Sequence, residues 1–325
     1  CNDWIYAKPS EPIHCRINAA LGREREFEIK PAEKKKRVLV VGAGTAGLEA
    51  ARVAAIRGHE VSVYDKQHRL GGLVPMAQLI KGARKLKEDP SQIIENLQGV
   101  LRYFEHQNNK LGVRTVLGKE ITPALVEEIK PDVVLIASGG VITVPEIPGI
   151  DRRIVVNPVY LHRMLKRFLR FFGPNVLRWL TSLWMPVGKR VVIIGGAMQG
   201  IELAEFLIRR GRKVTIVESS EELGYEMQMD DKVHTLAWLE DKCTMMTGVR
   251  YEEITDKGLV ITTREGKIEL IEADSVVPAT LLGPDTELLK ALEGTAKEVY
   301  PIGDSREPHL IRTAIADGSK IARLI

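Results

Sequence analysis

The segment KRVLVVGAGTAGLEAARVAAIRGHEVSVYD, starting at Lys36, aligns without a gap on KRVVIIGGAMQGIELAEFLIRRGRKVTIVE, starting at Lys189. Each copy reads as a short β-branched strand, a glycine turn, an amphipathic helix closing at Gly58 or Gly211, and a second strand. Each second strand ends in an acid at the same register, Asp65 in one copy and Glu218 in the other. Two units of this kind in one chain predict an α/β fold with two Rossmann-like domains, each built on a parallel sheet.

The residue types match the chemistry of dinucleotide binding. The first glycine permits a tight turn, the second clears a side chain from where a pyrophosphate approaches the backbone, and the third lets helix and strand pack closely. Free N–H groups at the helix start face the phosphates, and the acid accepts hydrogen bonds from an adenosine ribose. Gly42, Gly44 and Gly47 form the full pattern, and Asp65 is followed by Arg69, Leu70, Gly71 and Gly72. The second copy carries Gly195, Gly196 and Gly200, with Ala197 at the middle position. After Glu218 come Ser219, Ser220, Glu221 and Glu222, with no arginine to receive a 2′-phosphate, so this site is expected to prefer NAD(H).

Bulk properties exclude other classes. The chain has 325 residues, enough for two domains, and a net charge of +4 that gives no reason to expect nucleic acid. Its basic residues are dispersed apart from Lys34 to Arg37, a solvated lead-in to a strand. No apolar run reaches the roughly 18 residues of a membrane span, and no secretory signal is visible. Three cysteines do not make a disulfide framework, which favours a reducing cytoplasm.

Two further segments belong with the fingerprints. KPDVVLIASGG is a buried strand running into Ser138, Gly139 and Gly140, and VYPIGDSREPHLIRTAIADGSKIARLI is another strand followed by Gly303, Asp304 and a helix. A glycine pair at a strand end is also a plain turn, and an aspartate there also a plain helix cap. The arrangement resembles flavoproteins with two dinucleotide-binding domains, in which the NAD domain is inserted into the FAD domain and a late Gly-Asp returns to the flavin. That resemblance implies an FAD domain over residues 31–150 plus 296–325 and an NAD domain over 188–295. FAD then involves Gly42, Gly44, Gly47, Asp65, Arg69, Gly71, Gly72, Ser138, Gly139, Gly303 and Asp304, and NAD involves Gly195, Gly196, Gly200 and Glu218. Residues 250–279 alternate and turn twice, as antiparallel strands covering a nucleotide domain do.

The opening, CNDWIYAKPSEPIHCRINAALGRE, places Cys1 and Cys15 close together, and a disulfide, a lipid anchor or half of a metal site would each use them. PIHCRINAALGRE resembles the end of the [4Fe-4S] segment of flavoproteins related to old yellow enzyme, which include 2,4-dienoyl-CoA reductase, 2-enoate reductase and trimethylamine dehydrogenase. In those proteins a flavin barrel precedes the cluster segment and the two nucleotide domains. The resemblance implies that Cys1 and Cys15 are two of four thiolate ligands, that residues 1–30 are the tail of the cluster segment, and that the other ligands and an FMN-bearing barrel lie upstream. The chain departs from that pattern at Thr280-Leu281-Leu282, near the expected nicotinamide pocket. Cys243 reads as a small buried hydrophobe.

Residues 151–187 link the repeats and hold a basic amphipathic stretch, with Leu161, Leu165, Phe168 and Phe172 on one helical face. Such a stretch lies on a membrane surface or packs as a helical hairpin on the body, the barrel or another subunit; packing is the expectation. Taken together, the resemblance implies an NADH-dependent flavin oxidoreductase passing electrons through FAD and the cluster to a barrel that reduces the C=C bond of an enoate or enoyl-CoA, in a cytoplasmic homo-oligomer. Hydride transfer needs positioning rather than a side-chain acid or base, so no catalytic residue is expected. The alternatives are an ADP- or FAD-holding electron-transfer subunit and an amine-dehydrogenase-like protein. A disulfide reductase needs a close cysteine pair, which neither nucleotide domain has.

Overall fold

The computed structural model describes residues 15–81, 97–279 and 282–325. In chain order it contains β1 (Arg37–Val41), α1 (Thr45–Ile56), β2 (Glu60–Asp65), α2 (Val74–Lys81), α3 (Leu97–Lys110), β3 (Arg114–Leu117), α4 (Pro123–Ile129), β4 (Val133–Ile136), β5 (Gly140–Ile142), α5 (Pro158–Phe171) and α6 (Pro174–Leu183). There follow β6 (Arg190–Ile194), α7 (Met198–Ile208), β7 (Lys213–Val217), α8 (Met229–Glu240), β8 (Thr244–Met246), β9 (Arg250–Thr255), β10 (Gly258–Thr262), β11 (Ile268–Glu272) and β12 (Ser275–Pro278). The run closes with β13 (Leu282–Pro284), α9 (Glu287–Leu292), β14 (Glu298–Pro301) and α10 (Ile311–Leu324). Two compact units result; apart from residues 78–95, which group with the second unit, the chain leaves the first after Val141 and returns to it at Leu282, so one Rossmann-like unit is inserted into the other.

The first unit is built on the parallel sheet β14-β4-β1-β2-β3. β1 has an exposed arginine followed by four buried aliphatic residues, the pattern of a central strand covered on both faces. Helix α1 turns Ala50, Ala51, Val53 and Ala54 into the core and stops at Gly58, whose φ of +96° suits a helix-ending glycine. Across α1 lies α10, held close because Gly318 has no side chain; a Cβ there would sit 2.3 Å from the Ala46 carbonyl oxygen.

The second unit repeats this plan with the sheet β12-β6-β7-β8. Val38 lies opposite Val61 and Val133 in the first sheet, and Val191 lies opposite Val214 and Ser275 in the second. The symmetry extends beyond the repeat visible in the sequence. The Arg37 N–H donates to Asp132 at 2.8 Å just ahead of β4, and the Arg190 N–H donates to Asp274 at 2.8 Å just ahead of β12. The antiparallel sheet β11-β10-β9 covers the second unit, with Ile254, Leu259 and Ile261 packed against Val192, Ile194 and Val217.

Helices α5 and α6 form the expected hairpin. Asn157 caps α5 by accepting the Tyr160 N–H at 3.1 Å, and Pro158 and Pro174 stand in the first turn of each helix. The hairpin buries Leu169, Leu177 and Met185 but leaves Phe168, Phe171, Phe172, Trp179, Leu183 and Trp184 exposed. Packing on the body therefore covers only its inner face. Among the described residues no helix is long and apolar enough to cross a membrane.

Candidate functional site

The first glycine turn lies where the strand order reverses, between β1 and β4, at the carboxyl ends of the strands. Gly42 has φ +113°, and a Cβ on it would lie 2.1 Å from the Ala137 carbonyl oxygen, so this turn presses against the end of β4 and brings Ser138 alongside. A Cβ on Gly47 would meet the Gly42 carbonyl oxygen at 2.0 Å, so α1 starts directly on the turn. Gly44 differs: its φ is −77° and an added Cβ meets no protein atom within 4 Å. Neither backbone conformation nor packing requires glycine at position 44. The open space beside the start of α1 fits a group brought from outside, and a pyrophosphate fits both the space and the helix N–H groups.

The other candidates close around this cradle. Asp65 accepts the Ala43 N–H at 2.7 Å and the Gln67 N–H at 2.7 Å, which fixes its carboxylate at the end of β2. Gly71 donates to the Ala43 carbonyl at 2.8 Å, and a Cβ on Gly72 would approach the Gly44 Cα at 3.2 Å. Gly303 has φ +61° and lies over Ala46, where its own Cβ would come within 2.7 Å of the alanine methyl. Asp304 is half-buried beside it and accepts the His309 N–H at 3.3 Å, while Gly139, half-buried, has φ +88°. Arg69 is exposed on the loop after β2. Sequence reasoning missed Asp317, buried on α10, which accepts the Gly303 N–H at 2.7 Å and the Arg306 guanidinium at 2.6 Å. Its signal was an acid within the helix face that packs inward.

The second turn repeats these contacts with adjusted side chains. Gly195 has φ +108°, and a Cβ on Gly200 would meet its carbonyl oxygen at 1.9 Å. Glu218 accepts the Gly196 N–H at 2.6 Å and the Ser220 N–H at 2.8 Å. Glutamate is one methylene longer than the Asp65 of the first copy, and position 196 supplies the room: a Cβ there would lie 3.1 Å from the Glu218 Cβ and 2.3 Å from Leu223. Ala43 fits at the equivalent place because Asp65 is shorter. Gly224 donates to the Gly196 carbonyl at 2.7 Å, matching Gly71 and Ala43 in the first turn. This extension was legible as a Leu-Gly pair at a common distance from each acid, Leu70-Gly71 and Leu223-Gly224. Ala197 has nearly the same backbone as Gly44, φ −67° and ψ −179°, so its methyl group costs the turn nothing. Beside Glu218, burial and the nearby carboxylate push the Tyr251 phenol up to about 12, leaving a neutral hydroxyl that donates to the Val217 carbonyl at 3.2 Å. Close in sequence to this acid, Glu222 pairs with Lys232 and Glu221 with Arg264 at 3.1 Å.

The segment after Cys15 is anchored on α10. The guanidiniums of Arg23 and Arg323 lie 4.6 Å and 4.8 Å from the Phe27 ring centre, and Arg323 donates to the Phe27 carbonyl at 2.9 Å. Cys15 lines a cavity of about 270 Å³ with Asn18, Arg23, Arg312 and Thr313. Cys1 lies outside the described residues, as do Thr280 and Leu281. Among the described residues no group of three or more His, Cys, Asp or Glu is placed to hold a metal ion.

The family described as pyridine nucleotide-disulphide oxidoreductase matches residues 36–318. This chain belongs to that family. An NADH oxidase of Thermoanaerobacter brockii is 30% identical over 95% of this chain and 44% of its own length. A cinnamate reductase of Clostridium sporogenes is 30% identical over 96% of this chain and 43% of its own length. The solved complex of 2-naphthoyl-CoA reductase with 2-naphthoyl-CoA superposes with a TM-score of 0.78 at 34% identity, over 96% of this chain and 43% of that one. These matches bear out the resemblance to enoate-reductase-type flavoproteins. The chain spans less than half the length of these relatives. Membership of this family implies that the chain binds FAD and NAD(P)H.

The contrast between two glycines in one turn is testable. Gly44→Ala should leave unfolding free energy within about 1 kcal/mol of the parent, because the added Cβ meets no protein atom within 4 Å, yet reduce flavin retained through purification. Gly47→Ala should instead lower stability by about 1–3 kcal/mol, because its methyl group meets backbone. Denaturant unfolding and flavin-to-protein ratios of the two variants check this; equal behaviour would contradict it.

Proposed function

We propose that this chain is the NADH-accepting, flavin-holding part of a larger reductase whose remaining portion acts on an activated C=C bond of the enoate or enoyl-CoA type. The observation that carries this reading is the pair of matching glycine turns, each with its own acid, on two separate sheets. In the first turn Gly42, Gly44, Gly47, Asp65, Arg69, Gly71, Gly72, Ser138, Gly139, Gly303 and Asp304 would hold FAD. In the second, Gly195, Gly196, Gly200 and Glu218 would hold NADH. When bound, the flavin supplies the means to take a hydride from a reduced nicotinamide and release electrons singly.

The protein's own residues orient and exclude. Asp65 and Glu218, fixed by backbone N–H groups, would accept ribose hydroxyls, and Asp317 positions Gly303 over the start of α1. The Glu218 carboxylate would repel a 2′-phosphate, which supports NADH over NADPH. Cys15 lies at the wall of the cavity beside α10 and, by the family resemblance, would be one thiolate ligand of a [4Fe-4S] cluster, with Cys1 as a second and the remaining thiolates upstream of this sequence. An FMN-bearing barrel of the same polypeptide or of a partner subunit, a homo-oligomer and a cytoplasmic setting complete the proposal. Relatives at 30% identity or more over nearly the whole chain carry oxidase and reductase names, which favours it over an amine-dehydrogenase-like reading. Names of that second kind belong to structures at 22–23% identity and to a relative matched over 63% of the chain.

Two measurements check these assignments. NADH should be oxidised with an artificial acceptor at least about tenfold faster than NADPH at equal concentration, and Glu218→Ala should narrow that ratio several-fold, since about one charge–phosphate repulsion is removed; equal initial rates would contradict it. With the upstream region present, Cys15→Ser should sharply lower iron and acid-labile sulfide while leaving NADH oxidation largely intact. Unchanged iron in that variant would sink the cluster reading.

A further inference from the structure

The α5–α6 hairpin offers a face that nothing in the nucleotide chemistry uses. Its inner side is fixed: Thr181 accepts from Arg210 at 3.1 Å, Arg178 donates to the Gln78 carbonyl at 2.7 Å, and Leu177 and Met185 are buried. The outer side of α6 is apolar, with Trp179 at 61% and Leu183 at 68% exposure, and Trp184 just beyond it at 72%. On α5, Phe171 is exposed together with Arg163, Arg167 and Arg170. Between Asp151 and Glu202 the sequence contains no acidic residue.

We infer that this face docks on an anionic lipid surface, with the tryptophans and leucine entering the headgroup boundary and the arginines lying against lipid phosphates. Large aromatic and aliphatic side chains on one flank, with arginine on the other, match the amphipathic helices that lie in a bilayer interface. A second copy of the chain fits less well. A two-fold contact through this face would set one basic segment against another with no carboxylate in either to pair with the arginines. The anchored inner side means that the face is presented ready-formed, so docking requires no ordering of the helices.

The test is cosedimentation of the purified full chain with vesicles, alongside light scattering of the protein alone. The chain should sediment with mixed phosphatidylcholine–phosphatidylglycerol vesicles, much less with phosphatidylcholine alone, and be released as salt rises. Arg163→Gln and Arg167→Gln should each lower partitioning roughly fivefold. Trp179→Ser combined with Leu183→Ser should abolish it while leaving NADH oxidation unchanged, because both side chains are exposed and outside the nucleotide turns. A parent that stays in the supernatant with anionic vesicles, a doubly substituted chain that still sediments, or self-association that these substitutions disrupt in the absence of lipid would each overturn the inference.

Discussion

Two backbone-to-backbone approaches organise both halves of this protein. Gly47 sits on the Gly42 carbonyl and Gly42 on the Ala137 carbonyl; Gly200 sits on the Gly195 carbonyl and Gly195 on the Ala279 carbonyl. Each approach is possible only without a Cβ, and each draws a helix start onto the ends of two neighbouring strands. That closeness sets where α1 and α7 begin relative to the strand ends, beside the acids that close β2 and β7. The open place beside Gly44 follows from it too, because the helix begins so near the turn.

The acids serve the turn as well as any ligand. Asp65 and Glu218 each take N–H groups from the glycine loop and from the residue two beyond themselves, holding a carboxylate in one orientation beside the turn. Hydrogen bonds of this charged kind are worth more than neutral ones, roughly 1.5–3 kcal/mol each. The size exchange between the copies, Asp65 with Ala43 against Glu218 with Gly196, shows the loop adapting to keep the same contact. A carboxylate already oriented by the fold loses little freedom when a ribose arrives, the physical basis of preorganised binding.

Much of this was legible in the sequence because strand periodicity, glycine spacing and a strand-ending acid are local signals. The turns, both acids and the helix-ending glycines Gly58 and Gly211 could be read there, whereas the insertion of one unit into the other came from the family resemblance and not from any local signal. The clamps Arg37–Asp132 and Arg190–Asp274 could not, because each joins residues far apart in sequence and neither strand pattern marks its partner. Asp317 was hidden for the same reason, since its role depends on α10 lying across α1. The hairpin shows a different limit: periodicity reveals that α5 and α6 have apolar stripes, but not that Trp179, Leu183 and Trp184 face outward.

The central claim is that the two turns serve two different nucleotides joined by electron transfer. Anaerobic titration of the purified chain with NADH, followed by acid release and identification of the bound nucleotide, tests it most directly. The account predicts FAD in about one copy per chain, as one intact fingerprint of this type binds one dinucleotide, with its absorbance bleached by a stoichiometric amount of NADH. Release of ADP alone, or a bound flavin that NADH leaves oxidised, would contradict it.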